Sequence, residues 1–199
     1  MDLDRISTRT AELAANFGVR APRIVAGNVP TWSTLGLRYA TWKRPPVLRV
    51  GARFGDLLAA EQEGALALAL VAGDFYRAGA YKTVIAFGLS FSAVGLPLVY
   101  LAVLSGLPGS VVLPVFAALY VLSYLLTFAV RSRRIIYRID HRVAEVMGRP
   151  VMDLMIDHDI RNYHLVRGFM RIYSSAFSPT VAQRVRRLDT AFGPRVLAA

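Results

Sequence analysis

The sequence has no cysteine and only two lysines, Lys43 and Lys82, among its 199 residues. Without cysteine the chain can form neither disulfide bonds nor a thiolate metal site, as expected of a protein that faces the cytoplasm. Arginine therefore carries nearly all of the positive charge. Together with abundant alanine, valine and glycine, this bias is typical of a GC-rich bacterial genome.

Charged residues are also absent from residues 83–130, between Lys82 and Arg131. This stretch is about twice the roughly 20 residues that a helix needs to cross a bilayer. Its middle, residues 105–110, reads Ser-Gly-Leu-Pro-Gly-Ser and is rich in turn-forming residues. We therefore predict a two-helix transmembrane hairpin over 83–130. The alternative, two buried helices of a soluble core, is disfavoured because such helices rarely lack charge over two consecutive lengths of this size.

The charges that flank this stretch predict its orientation. Arg77 and Lys82 precede the first span, Arg131, Arg133 and Arg134 follow the second, and the turn carries no charge. Basic residues stay on the cytoplasmic side during insertion. We therefore expect the protein in a bacterial inner membrane, with both termini on the cytoplasmic side. The net charge of +11 agrees with these five residues binding anionic lipid. No nucleic-acid partner is indicated, since no nucleic-acid motif accompanies the arginines.

The rest of the chain is predicted to form three pieces. Residues 1–20 contain an amphipathic helix, residues 21–82 a small sheet and an apolar helix, and residues 131–199 a helical region that completes the cytoplasmic domain. The first helix could pack on the domain or lie on the membrane surface, and packing is the commoner case. The N-terminal segment is acidic and has no apolar run, so no cleavable signal peptide is expected.

Prolines and glycines divide the second piece into short runs. Runs at 23–26, 35–42 and 47–50 predict strands of an antiparallel sheet. From Leu57 the pattern becomes helical, and the alanine- and leucine-rich run at 64–72 predicts a helix buried on all sides.

Helix signals recur after the second span. Residues 132–147 are expected to continue that helix, and Gly148 followed by Pro150 ends it. Ser178 and Pro179 predict the cap and the first turn of a last helix.

Several short features, in a particular order around the hairpin, resemble a known family. They are the lead-in Val50-Gly51-Ala52-Arg53-Phe54-Gly55-Asp56-Leu57-Leu58 before Glu61-Gln62, the set Ser132-Arg133, Tyr137, Asp140, Ala144-Glu145 and Gly148-Arg149-Pro150, and the late Ser178-Pro179-Thr180 with Arg184-Val185 and Leu188. Over about residues 20–192 the chain is similar to the HtpX-like integral-membrane zinc metallopeptidases. The resemblance implies a mainly α membrane protein with a transmembrane hairpin and a small cytoplasmic α+β metallopeptidase-like domain.

The zinc site of that family is absent from this sequence. Its zinc helix carries H-E-x-x-H, in which two histidines bind the metal and the glutamate acts as general base. The matching positions here are Ala69, Leu70 and Gly73, and the third ligand falls on Ile136. Only the family's aspartate is retained, as Asp140, which we expect to be held by an arginine such as Arg133 or Arg138 or by a backbone cap. We therefore predict an inactive homologue without catalytic residues, metal or cofactor.

The histidines elsewhere do not restore a metal site. His158 and His164 are six residues apart and face opposite sides of a continuous helix. His141 neighbours Asp140, yet successive helical residues diverge by about 100°. Three aspartates lie near His158, namely Asp153, Asp157 and Asp159. They could form an acidic cation site, although a solvated helix face is far commoner.

Binding is the role that remains without catalysis. Small residues on the first span, from Gly88 to Gly95, allow close helix approach, and a two-helix hairpin leaves an outer face for partner helices. We expect a pseudopeptidase that acts as an accessory or scaffolding subunit, in a hetero-complex with other integral membrane proteins. The alternative is a membrane module that binds peptides, or a metallopeptidase whose ligands come from a partner. A transport role is disfavoured because the spans contain no ionisable group.

Overall fold

The computed structural model describes residues 2–40 and 45–195 and is mainly α-helical, with one small sheet. The helices are α1 (Leu3–Phe17), α2 (Ala59–Phe75), α3 (Tyr81–Leu104), α4 (Gly109–Met147), α5 (Arg149–Asn162), α6 (Phe169–Phe177) and α7 (Val181–Phe192). The strands are β1 (Arg23–Ala26), β2 (Leu37–Ala40) and β3 (Val47–Val50). A π-helical turn, Tyr76–Ala80, joins α2 to α3.

The sheet has the order β1-β3-β2, and its predicted antiparallel pairing is only half right. β2 pairs with β3 antiparallel, but β1 pairs with β3 parallel, with Ile24 opposite Leu48. The chain leaves β1, forms β2 on the far side, and returns through β3 into the centre. β1 and β3 therefore run in the same direction. The strand predicted at 35–42 is observed over Leu37–Ala40, and residues 41–44 lie outside the described part of the chain.

Helix α1 forms as predicted and packs on the domain. The Asp2 side chain accepts the amides of Asp4 and Arg5, and Gly18 ends the helix with a φ of 64°. The helix buries Ile6, Leu13, Ala14 and Phe17 and contacts α2 and β1. Of the two expected placements, the structure therefore has the packed one.

Helix α2 is the centre of the core and begins two residues after Leu57. Its Glu61 carboxylate accepts the Leu58 amide at 3.1 Å, which caps the first turn. The helix contacts β2, α4 and α5, and one buried cluster extends from Ile6 to Leu188. Residues before and after the apolar stretch thus share a single hydrophobic core. Burial is not complete, because Leu68 and Ala69 remain partly exposed.

Helices α3 and α4 form the predicted hairpin. The Phe91 ring lies 5.5 Å from Phe116 and 5.0 Å from Tyr120, measured between ring centroids. A Cβ atom at Gly95 would lie 2.3 Å from the Phe116 ring, so this crossing depends on a missing side chain. Both helices are long and apolar enough, by length and composition, to cross a membrane. Only 6% of the apolar stretch of α3 and 0% of that of α4 is buried. Two exposed apolar helices of this kind are typical of membrane association.

Helix α4 continues without a break beyond the apolar stretch, as predicted, and ends at Gly148 with a φ of 88°. At 1.5 Å per residue its length is about 58 Å. Ile139, Val143 and Ala144, near its C-terminal end, belong to the buried core. The last helix differs from its prediction. Its cap is Thr180 rather than Ser178, because Thr180 Oγ1 accepts the Gln183 amide while the Gln183 side chain accepts the Thr180 amide.

Candidate functional site

The positions matched to the zinc ligands and the general base lie on α2 and α4, which pack against each other. Leu70 is 1% exposed, and Ala69 and Ile136 are partly buried. Alkyl side chains have no lone pair for a metal and cannot move a proton. The chemistry of this set therefore does not fit a zinc ion.

The space beside Gly73 is also filled. A Cβ atom at Gly73 would lie 2.6 Å from Cε1 and Cζ of Tyr39, whose ring projects from β2 onto α2. The pKa of the Tyr39 phenol is raised, mainly by burial. The charge of Arg77 lowers this pKa, and that of Asp74 raises it. A histidine at position 73 would require this ring to move. Within residues 2–40 and 45–195 there is no group of three His, Cys, Asp or Glu side chains that could hold a metal.

Asp140 is held by Arg184 of α7, an arginine that was not predicted as its partner. Asp140 is 2% exposed and accepts Arg184 Nε at 2.7 Å on Oδ2 and Arg184 Nη2 at 2.9 Å on Oδ1. Arg184 Nη1 also donates to Asp159 Oδ2 at 2.8 Å. Although burial lowers it, the hydrogen bonds and charges of the two carboxylates raise the pKa of Arg184, which stays charged. The expectation that an arginine holds Asp140 is confirmed, but neither Arg133 nor Arg138, the two residues named for it, is that arginine.

Helix geometry explains that error. Arg138 lies two residues before Asp140 on α4, so the two side chains point to different faces, and Arg138 is exposed. Arg133 is used elsewhere, since its Nη2 donates to the Ala176 carbonyl at 3.2 Å. Arg184 comes from α7, 44 positions further along the chain.

The three aspartates near His158 are each paired with an arginine, and the side chains of Asp157 and Asp159 are still 37% and 39% exposed. Asp153 accepts Arg149 at 3.2 Å, and Asp159 accepts Arg184. Asp157 is paired with Arg195. Arg149 also pairs with Asp189 of α7 at 2.6 Å, so these arginines and carboxylates form a shared network that ties α5 to α7 and to the segment that follows it.

The histidines are not brought together. His158 is 4% exposed and lies on α5, with Nδ1 3.5 Å from Glu61 Oε1. His164 and His141 are exposed, and the His141 ring packs 5.0 Å from Phe192. The contact between Glu61 and His158 was not predicted, because the two residues are far apart in the chain. It joins the start of α2 to α5.

The five basic residues predicted to bind lipid divide into two groups. Arg131 Nη2 donates to the Gly79 carbonyl at 3.0 Å, which ties together the bases of the two apolar helices. Arg133 is engaged with α6, as described above. Arg77, Lys82 and Arg134 are exposed. Of the five, only these three exposed side chains can extend fully toward lipid headgroups.

A further basic surface lies in a groove of about 1070 Å³ between α4 and α7, which was not predicted. Phe75, Tyr137 and Asp140 are part of its wall. Six arginines line it: Arg134, Arg138, Arg142, Arg184, Arg186 and Arg187. A search by motif does not find this set, because it joins two helices that are distant in the chain.

Comparison of the chain with protein-family models, with curated proteins and with solved structures finds no match. The resemblance to the HtpX-like metallopeptidases therefore remains a prediction. The mainly α architecture with two long, exposed apolar helices is shown directly by the structure.

Proposed function

We propose that this chain is a non-catalytic, metallopeptidase-like subunit that supports the assembly of a bacterial inner-membrane complex. The observation that carries this proposal is the Tyr39 ring packed on Gly73, at the position matched to a zinc-binding histidine. An active peptidase needs an open, hydrated cleft at that point. Here the aromatic ring of Tyr39 fills the space between β2 and α2 at that position.

The second support is the pairing of Asp140 with Arg184. In a metal site an aspartate close to the ligands orients them through hydrogen bonds. Both oxygens of Asp140 are instead occupied by one guanidinium, which also binds Asp159. The carboxylate thus joins α4 to α7 and is not available to orient a metal ligand.

The membrane part of the proposal places α3 and the apolar half of α4 across the bilayer, with both termini in the cytoplasm. The two helices cover little of each other's surface, with Leu89 67% and Leu122 64% exposed. Lipid or other helices must cover the remainder. The basic residues at both ends of the hairpin, and none in its turn, support the orientation.

The face of α3 turned away from α4 supports a helical partner. Ala86, Ser90, Ala93 and Pro97 are exposed and are spaced by three or four residues, so they share one face. Apolar surface alone does not drive association within lipid, but small residues let helix backbones approach closely. Gly88 and Gly95 face Tyr120 and Phe116 inside the hairpin, so a different set of residues serves the outer face.

The test is purification of the full chain in mild detergent, with mass spectrometry of the co-purifying proteins and measurement of bound zinc. An integral membrane protein should be recovered at a fixed ratio. Ser90→Leu should disrupt that recovery, while Leu89→Ala serves as the matched control on a neighbouring face. Stoichiometric zinc would instead support a metallopeptidase completed by a partner's ligands, and bound peptides would support the peptide-binding alternative.

Orientation is tested separately, because the chain has no native cysteine. Cysteine introduced at Ser105 or Ser110 should react with an impermeant thiol reagent applied to intact cells from which the outer membrane has been removed. Cysteine at Ser132 should react only after lysis. The opposite labelling pattern would refute the proposed topology.

A further inference from the structure

The groove between α4 and α7 opens where α4 leaves the apolar stretch. Arg134 lies four residues after Val130, about 6 Å along the helix axis, and Arg142 about 18 Å. Phe75, which also lines the groove, ends α2 shortly before the apolar part of α3. If the hairpin crosses the membrane as proposed, the groove begins at the depth of the lipid headgroups.

Charge within the groove is unequally compensated. Arg184 is neutralised by Asp140 and Asp159, and Arg142 Nη1 is paired with Glu145 at 2.9 Å. The Arg187 guanidinium stacks 4.2 Å from the centre of the Tyr137 ring. These contacts hold three of the arginines in place.

Arg134, Arg138 and Arg186 are exposed and form no ion pair within residues 2–40 and 45–195. Arg134, Arg138 and Arg142 follow one another at intervals of four residues and so share a face of α4. Like charges at this spacing destabilise a helix. An anion in the groove would remove that repulsion and supply the uncompensated arginines with a partner.

We propose that this groove binds the phosphate-bearing headgroup of an anionic phospholipid. Guanidinium groups match phosphate oxygens bidentately, which favours a phosphate over a simple point charge. A groove of about 1070 Å³ is much larger than one phosphate ion needs and has room for a headgroup with its glycerol. This inference rests on the proposed membrane placement, and it adds a defined site to the general basic flank of the spans.

The experiment uses the full chain in a non-ionic detergent, titrated with phosphatidylglycerol, with phosphatidylcholine or with inorganic phosphate. Ligands that bind the folded state raise the melting temperature. We expect phosphatidylglycerol to raise it and to remain bound in native mass spectrometry. In Arg138→Gln/Arg186→Gln the apparent affinity should fall by about tenfold or more, since each arginine contributes to anionic-lipid binding.

The control is Arg20→Gln/Arg23→Gln, which removes the same charge at two exposed sites away from the groove. It should bind phosphatidylglycerol as the native chain does. Equal loss in both variants would show a diffuse charge effect and refute the groove. If inorganic phosphate raised the melting temperature as much as phosphatidylglycerol does, the ligand would be a free phosphate and the lipid proposal would be refuted. Cysteine labelling of the hairpin reports membrane placement independently of either result.

A second, independent observation concerns α6. The Phe177 ring meets Phe128 edge-on, with ring centroids 5.2 Å apart. Phe128 lies inside the apolar stretch of α4, two residues before Val130. The C-terminal end of α6 is therefore held at the boundary of the apolar layer.

A face of α6 beside the one that carries Phe177 is apolar and exposed. Phe169 is 74% and Ile172 is 67% exposed, and Ala176 continues the same face four residues later. Arg171 lies on the other side of α6, Arg167 lies just before the helix, and both are exposed. Apolar residues on one face and arginine on the other are the composition of helices that lie in the membrane interface.

We infer that α6 lies in the cytoplasmic interface of the bilayer, with Ile172 inserted between the headgroups. Spin labels on Ile172→Cys, Leu122→Cys and Ser7→Cys in the vesicle-reconstituted chain test this. The label at 172 should collide more with oxygen than with a water-soluble nickel complex, as at 122, whereas the label at 7 should do the opposite. Aqueous behaviour at 172 with lipid behaviour at 122 would refute the interfacial helix and leave the membrane hairpin intact.

Discussion

The aromatic ring of Tyr39 lies directly against Gly73, so that a Cβ atom at position 73 would be only 2.6 Å from it. β2 and α2 can therefore approach each other only because residue 73 lacks a side chain. The contact joins the sheet to the central helix at the point where the sequence resemblance places a metal ligand. Position 73 is therefore a packing position, and glycine there offers no ligand to a metal.

The first prediction is that Gly73→Ala destabilises the fold. The added methyl group would collide with the Tyr39 ring, 2.6 Å away, and overpacking of this kind costs about 1–3 kcal/mol. Gly55→Ala is the matched control, because nothing lies within 4 Å of a Cβ atom at Gly55. Thermal unfolding of the detergent-solubilised chains measures both. Equal melting temperatures for the two variants would contradict the packing described.

The second prediction concerns restoring the zinc ligands. Ala69→His, Gly73→His and Ile136→Glu combined should lower the free energy of unfolding and yield no protease activity. The new polar groups enter a packed region, and each unpaired group costs about 1–3 kcal/mol. Zinc content, a casein cleavage assay and thermal unfolding are the measurements. A triple variant that folds normally and binds zinc tightly would show that a cleft persists, and would favour a peptide-binding module over a scaffold.

The third prediction concerns the buried pair of Arg184 and Asp140. Arg184→Met leaves the Asp140 carboxylate buried without a counter-charge, which should cost about 3–5 kcal/mol. Changing Asp140→Leu in the same chain should restore much of the loss, because no unpaired charge is then left. The control is Arg142→Met, whose ion pair with Glu145 is exposed and should contribute no more than about 1 kcal/mol. Equal losses from Arg184→Met and Arg142→Met would argue against a buried ion pair.

The fourth prediction is a pH dependence caused by Tyr39. Because burial raises the pKa of Tyr39 above 10.0, the folded state holds the phenol proton more tightly than the unfolded state. The stability that this contributes is fully present below the unfolded pKa and is lost as pH rises through the folded pKa. Relative to Tyr39→Phe, the native chain should therefore lose stability as pH increases above about 10. Denaturant unfolding of both chains across this range is the measurement, and parallel curves would exclude the effect.

Local patterns predicted the elements well wherever the signal lies within one element. The amphipathic pattern within residues 1–20 predicted α1, and the absence of charge over 83–130 predicted two long helices joined at a glycine- and proline-rich turn. The strands at 23–26 and 47–50 were predicted with their observed bounds. The last cap was placed two residues early, because Ser178-Pro179 and Thr180 both carry a start signal and the reciprocal bonds with Gln183 decide between them.

Pairing between elements was predicted poorly. The parallel alignment of β1 with β3 depends on which edge of the sheet β2 takes, and a four-residue strand carries no information on that choice. The partner of Asp140 was sought among arginines nearby in sequence and was found on α7. The groove was not predicted for the same reason, since Arg138 and Arg186 line one groove only when α4 and α7 pack.

By itself, the sequence determined that this chain has two long apolar helices with basic ends, a small sheet, and no side chain able to bind zinc at Ala69, Leu70, Gly73 or Ile136. These properties follow from composition and from periodicity within one element, where neighbouring residues report on each other. Only the tertiary structure decided that Tyr39 covers Gly73, that Arg184 neutralises Asp140, and that a row of arginines faces a second helix. Such contacts depend on how the helices and strands pack in three dimensions, because the residues that meet are separated by tens of positions along the chain.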